Sequence, residues 1–172
     1  NYKVRYLFIT AAPEIMAYTK RSEDIDGFIY ISASHNPIGH NGVKFGLSDG
    51  AVIGGEKSSL LIERFSEAIL NSQYHRDIEQ LLGAVSTLQS AKVTTAYSQL
   101  DVWKESAKKV YYSFAREVIS GSSSDVDQNR FFENLRQKSR EKPTGVVAEL
   151  NGSARTLSID RQILMDAGIK TA

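Results

Sequence analysis

Two short apolar runs bracket a proline-started segment near the N-terminus, and this order constrains the fold more than any other feature. Residues 4–10 (VRYLFIT) and 28–32 (FIYIS) are rich in β-branched and aromatic side chains, as buried strands are. Between them, Pro13 suits the first turn of a helix that continues through Glu14, Ile15, Met16, Ala17, Tyr18 and Thr19. Asp26-Gly27 then breaks the chain before the second run. The order strand, helix, strand predicts a βαβ unit with parallel pairing, and hence an α/β layer. A length of 172 residues suffices for one domain with a real core and is too short for several full ones.

Further along, the period changes to that of helices. Leu61, Phe65, Ala68 and Ile69 fall on one face of a helix over residues 56–71, and a shorter helix is predicted around 75–83. Residues 84–98 are rich in Ser and Thr without a clear period and read as a connecting segment. The clearest helix covers about 99–120, where Trp103, Ala107, Val110, Phe114 and Val118 form a stripe suited to core or interdomain packing. Gly121-Ser122-Ser123-Ser124 reads as a flexible break and the best domain boundary. Asp125 or Asp127 is expected to cap a helix that carries Phe131, Phe132 and Leu135 and ends before Pro143. Residues 145–150 (GVVAEL) read as a strand, Asn151-Gly152-Ser153 as a turn, and Ile159, Ile163, Leu164 and Ala167 as a helix stopped at Gly168. This divides the chain into an α/β unit over 1–120, a linker or helical insertion over 121–142, and the opening strand and helix of a second α/β domain over 143–172.

Charge and residue usage exclude several functions. Twenty-one Lys plus Arg against twenty Asp plus Glu give a net charge of +1, without the basic surface that nucleic-acid binding needs. No cysteine is present, which removes disulfides, thiol catalysis and Cys-based zinc sites, and is compatible with an intracellular, reducing compartment. No apolar run approaches the roughly 20 residues that span a membrane, so no membrane partner is expected. The N-terminus has neither a starting Met nor a signal-peptide pattern, which predicts that the sequence begins inside a longer protein.

Chemistry concentrates in one loop. Ser34 follows the second strand directly, within Ser32-Ala33-Ser34-His35-Asn36-Pro37, at the kind of strand end where α/β folds bind ligands. A hydroxyl, an imidazole and two carboxamides gather within eight residues, and Lys44 follows ten residues after Ser34. A serine hydroxyl is a weak nucleophile unless a base, a metal or prior phosphorylation assists it. A phosphorylated serine needs cations or amide donors around it, and His35 and Lys44 are suitable cations. Lys44 serves there as a point charge for phosphate or as a proton carrier. Gly39 and Gly42 allow close backbone approach. A Ser-His hydrolase is disfavoured because no Gly-x-Ser-x-Gly elbow occurs. His75, Asp101, Glu105 and Lys108-Lys109 read as solvated surface.

The extended string Ile31-Ser32-Ala33-Ser34-His35-Asn36-Pro37, followed by Asn41-Gly42-Val43-Lys44-Phe45, resembles the phosphoserine loop of the α-D-phosphohexomutases. That superfamily includes phosphoglucomutase, phosphomannomutase and phosphoglucosamine mutase. Ala12-Pro13-Glu14 also looks like the family's Thr-Pro helix start, with Ala where Thr is usual, and residues 146–152 resemble the opening of its second domain.

The resemblance implies part of a phosphohexomutase first domain (a mixed sheet with flanking helices) plus the opening strand and helix of domain two. It implies that Ser34 is phosphorylated and passes its phosphoryl group to a sugar monophosphate, by way of a bound bisphosphate. His35 and Lys44 would handle protons and phosphate, Asn36, Asn41 and Gly42 would order the loop, and Mg²⁺ would bind through the phosphate on Ser34. It further implies glucose 1,6-bisphosphate as activator, a phosphosugar substrate of the phosphoglucomutase/phosphomannomutase kind, and a cytoplasmic location. The family's Asp-Gly-Asp-Gly-Asp-Arg metal loop and Gly-Glu-x-Ser-Gly sugar loop do not occur here. The fragment alone is therefore expected to be inactive and to need the rest of its own chain. The alternative is a non-catalytic module that binds a phosphosugar or regulates a partner.

Overall fold

The computed structural model describes residues 3–33, 36–37, 39–85 and 87–171. Helix α1 (Ala12–Lys20) begins at Pro13 as expected, with Glu14 in its first turn and Lys20 in its last, charges that suit the helix dipole. Strand β1 (Gly27–Ser32) follows, and β2 (Gly42–Leu47) returns beside it. Their pairing is antiparallel, with Gly27 opposite Leu47 and Ser32 opposite Gly42.

This corrects the predicted βαβ unit. Residues 4–10 are not a strand: Phe8 takes a positive φ of 54°, which turns its peptide groups out of any continuous ladder. Strand β1 instead takes the nearest partner in sequence, reached through the short loop 33–41, for which loop closure costs little. Parallel pairing does occur, but only between the two-residue strands β3 (Gly145–Val146) and β4 (Lys170–Thr171). Seven helices and two small sheets among the described residues make a mixed α/β architecture.

Helix α5 (Leu100–Ser120) is the spine. Its predicted stripe supplies Trp103, Ala107 and Val110 to a core shared with Leu7, Ile15, Tyr18 and Ile25. Ala107 has no exposed surface, so α1 and α5 meet closely there, whereas Val118 at the far end of the stripe is exposed. Helix α5 stops at Gly121, whose φ of 71° is the left-handed conformation that favours glycine at a helix end. In the serine run after it, the Ser124 amide donates to Ser122 Oγ at 3.1 Å and Gln128 Nε2 donates to the Ser122 carbonyl at 3.0 Å. Ser124, not Asp125 or Asp127, caps helix α6 (Asp125–Glu141) by accepting from the Asp127 amide, and the two acids lie in the first turn.

Helices α2 (Gly55–Leu70) and α3 (Ser72–Gly83) form where the period places them, yet neither buries a residue. Leu61, Phe65 and Ile69 stay exposed. Residues 84–98 depart from expectation, because Thr87–Ser98 is helix α4. It has no amphipathic stripe to read; it leads into α5 and is fixed by the Tyr97 ring packing on Tyr6 at 4.9 Å. After β3, residues 147–150 leave the strand, Asn151 and Gly152 turn with positive φ, and a 3₁₀ turn (Ala154–Leu157) leads into α7 (Asp160–Asp166). Gly168, with φ 75°, stops that helix as predicted.

The stretch 143–171 lies against α5 and α6. Tyr112 donates to the Asp166 carboxylate, Arg116 lies 3.7 Å from it, and Arg136 Nη1 donates to the Asp166 carbonyl at 3.0 Å. Ser139 Oγ donates to the Gly168 carbonyl at 2.6 Å. The Arg116 guanidinium also stacks over the buried Phe132 ring, 4.2 Å from its centre.

Candidate active site

The predicted phosphoryl carrier Ser34 and its neighbour His35 lie outside the described residues, as does Ile38. What surrounds them is described. Strand β1 delivers the loop at Ser32, and β2 takes it up at Gly42, directly opposite. A side chain at position 42 would come within 3.3 Å of the Ser32 carbonyl, so Gly42 lets the hairpin close. Two turns shape the loop: the Asn36 amide donates to the Ala33 carbonyl at 3.0 Å, and the His40 amide to the Pro37 carbonyl at 3.1 Å. Gly39 takes a φ of 94°. The side chains of Asn36, His40 and Asn41 are exposed.

Lys44 faces Tyr30 across the ladder. Because side chains alternate along a strand, Lys44, Tyr30, Ser32 and Gly42 share one sheet face, two ladder positions from where the loop begins. Its ammonium is exposed and therefore free to meet an anion at the loop mouth. The other sheet face carries Ile29, Ile31, Val43 and Phe45.

Sequence reasoning missed the support beneath the loop. Tyr30 Oη donates to the Thr10 carbonyl at 3.1 Å, tying β1 to the turn that enters α1. The Thr10 hydroxyl is buried without a hydrogen-bond partner. Glu14, read from sequence only as a helix residue, is fully buried. It accepts from Lys104 Nζ at 2.6 Å and from Ser158 Oγ at 2.7 Å. Only the Pro-Glu helix start was a legible signal, since its partners lie 90 and 144 residues away. His75, Asp101, Glu105 and Lys109 are exposed, as surface groups should be.

Among the described residues no three His, Asp or Glu side chains converge to hold an ion. A shallow groove lined by Leu7, Phe8, Ile9, Leu100, Lys104, Lys108 and Leu157 lies beside α5 and presents no carboxylate. Among the described residues no helix is long and apolar enough to cross a membrane.

Comparison with known proteins bears directly on the loop. The family model for phosphoglucomutase/phosphomannomutase, alpha/beta/alpha domain I, matches residues 1–72. Residues 1–72 are thus similar to domain I of the phosphohexomutases. The matched residues include the whole hairpin from β1 to β2 and the helix α1 behind it. Phosphoglucosamine mutase of Ligilactobacillus salivarius (strain UCC118) is 47% identical over 57 residues, 33% of this chain and 12% of that protein. Phosphoglucosamine mutase of Limosilactobacillus fermentum (strain NBRC 3956 / LMG 18251) is 30% identical over 105 residues, 61% of this chain and 19% of that protein. The second likeness extends beyond the segment that the family model covers. In both cases the match spans less than a fifth of the relative's length. No solved structure matches the chain.

Proposed function

We propose that this chain is the phosphoryl-carrying part of a sugar-phosphate mutase, with Ser34 as the carrier. In the forward step the bond between phosphorus and the Ser34 oxygen breaks, and a bond forms to a hydroxyl oxygen of a sugar monophosphate. One of the two proton carriers of the loop, His35 or Lys44, takes the hydroxyl proton in its neutral form, and the other, in its protonated form, gives its proton to the departing serine oxygen. The bound bisphosphate then reorients and returns its other phosphate to Ser34, so that 1- and 6-phosphates interconvert. Lys44 stabilises charge on the transferring group, while Asn36, Asn41 and Gly42 order the loop. The observation that carries this reading is the domain I match across a hairpin whose ladder sets Lys44 on the same face as the strand end leading to Ser34.

Both relatives bear the name phosphoglucosamine mutase, which favours a hexosamine phosphate over glucose or mannose phosphate as substrate. In this reading residues 121–142 separate the first unit from a second α/β unit opening at 143. On the same reading the 172-residue chain does not turn over alone, because the family's Asp-Gly-Asp-Gly-Asp-Arg metal loop and Gly-Glu-x-Ser-Gly sugar loop do not occur in it. The test is intact mass with phosphopeptide mapping on the full-length protein after incubation with glucose 1,6-bisphosphate and Mg²⁺. One phosphate on Ser34, absent in Ser34→Ala and discharged by a hexose or hexosamine monophosphate, is the expected result. A Ser34 that stays unmodified would favour a phosphosugar-binding or regulatory module instead.

A further inference from the structure

Glu14 draws its partners from across the fold. Its carboxylate is fully buried, with one oxygen on Lys104 of α5 and the other on Ser158, between the 3₁₀ turn and α7. A buried ion pair is a poor source of net stability compared with apolar packing, so its presence asks for another role. The turn that carries Glu14 leads to the hairpin: the Glu14 amide donates to the Ala11 carbonyl at 3.0 Å, and the adjacent Thr10 carbonyl accepts from Tyr30. Tyr30 stands on β1, four residues before Ser34. Ser158 in turn belongs to the 143–171 stretch, which Asp166 and Gly168 fasten to α5 and α6.

We infer that Glu14 is a positioning residue: it links the docking of the 143–171 stretch to the strand that delivers the Ser34 loop. With Ser158 in place, both carboxylate oxygens are held and the first turn of α1 is fixed, so Tyr30 has a stationary carbonyl to bond. Without Ser158 the carboxylate keeps Lys104 and the fold, but the turn and the strand behind the loop loosen. This inference rests on Ser34 being the phosphoryl carrier.

Ser158→Ala tests it, because the ion pair with Lys104 is left intact. In the full-length protein the variant should lower kcat and the rate of Ser34 phosphorylation by about tenfold, the equivalent of one hydrogen bond to a charged group. KM should stay near wild type, the unfolding midpoint should fall by no more than the loss of that one hydrogen bond, and Ser158→Thr, which keeps the hydroxyl, should restore the rate. Amide exchange at Ile29 and Ile31 should quicken in Ser158→Ala. If wild type phosphorylates Ser34 and the Ala variant does so equally fast, the inference is overturned. If wild type takes no phosphate, the proposed function fails separately, and exchange at β1 still decides: unchanged protection in Ser158→Ala overturns the link, and faster exchange supports it.

Discussion

Replacing Lys104 with Met should destabilise this fold more than any other single charge removal. Its ammonium lies 2.6 Å from a Glu14 oxygen, and the side chains are 14% and 0% exposed. At that distance and an effective dielectric of about 20, the attraction between the two charges is about 6 kcal/mol before desolvation is counted. Lys104→Met removes the cation but leaves the carboxylate buried, with only the Ser158 hydroxyl to compensate it. Loss of one partner from a buried pair costs about 3–5 kcal/mol, a large share of the 5–15 kcal/mol that stabilises a domain. In a chain of this size that lowers the melting temperature by about 10 °C. Urea unfolding reads the change as a shifted midpoint at unchanged slope. The double variant Glu14→Met/Lys104→Met removes both charges at similar volume and should recover most of the loss, leaving about 1 kcal/mol for the unpaired Ser158 hydroxyl. A single-variant loss below about 1 kcal/mol, or a double variant no better than the single, would refute the reading of a buried, mutually dependent pair.

Gly46→Ala should cost about 1–3 kcal/mol in urea unfolding, because a Cβ there would fall 1.9 Å from the Phe28 ring and force that buried side chain to move. Burial, and then the hydrogen bond to Asp166, raise Tyr112 above its ordinary value of 10.0. The folded state therefore holds this proton more tightly than the unfolded state, and the associated stability is lost as pH rises through the folded value. Tyr112→Phe should flatten the alkaline limb of the stability curve, followed by denaturant unfolding as a function of pH. The hydrogen bond from Arg5 holds the Asp24 carboxyl below its ordinary value, so its contribution is present above about pH 4 and fades as pH falls through the folded value. Asp24→Asn should remove that part of the acid dependence.

Legibility followed the range of the interactions. The helix over 56–71, the stripe on α5 and the stop at Gly168 all depend on neighbours within a turn or two, and local sequence carries that information. The supposed strand at 4–10 was not legible, because β composition says only that a segment tolerates extended backbone, not that a partner strand is available. Helix α4 was missed because its sequence has no amphipathic period, and periodicity reports burial rather than helix formation itself.

The sequence by itself marked a loop between Ser32 and Gly42, because its turn-forming residues and glycines act locally. It also determined the helix ends at Gly121 and Gly168, where the demand for positive φ can be met by one residue. Tertiary structure alone decided that β1 pairs antiparallel with β2, since strand pairing is a competition among edges that no single segment records. It alone decided that Glu14 is buried between Lys104 and Ser158. Glu14 meets a cation 90 residues away and a hydroxyl 144 residues away only after α5 has packed on α1 and the 143–171 stretch has docked, and no local pattern encodes the meeting.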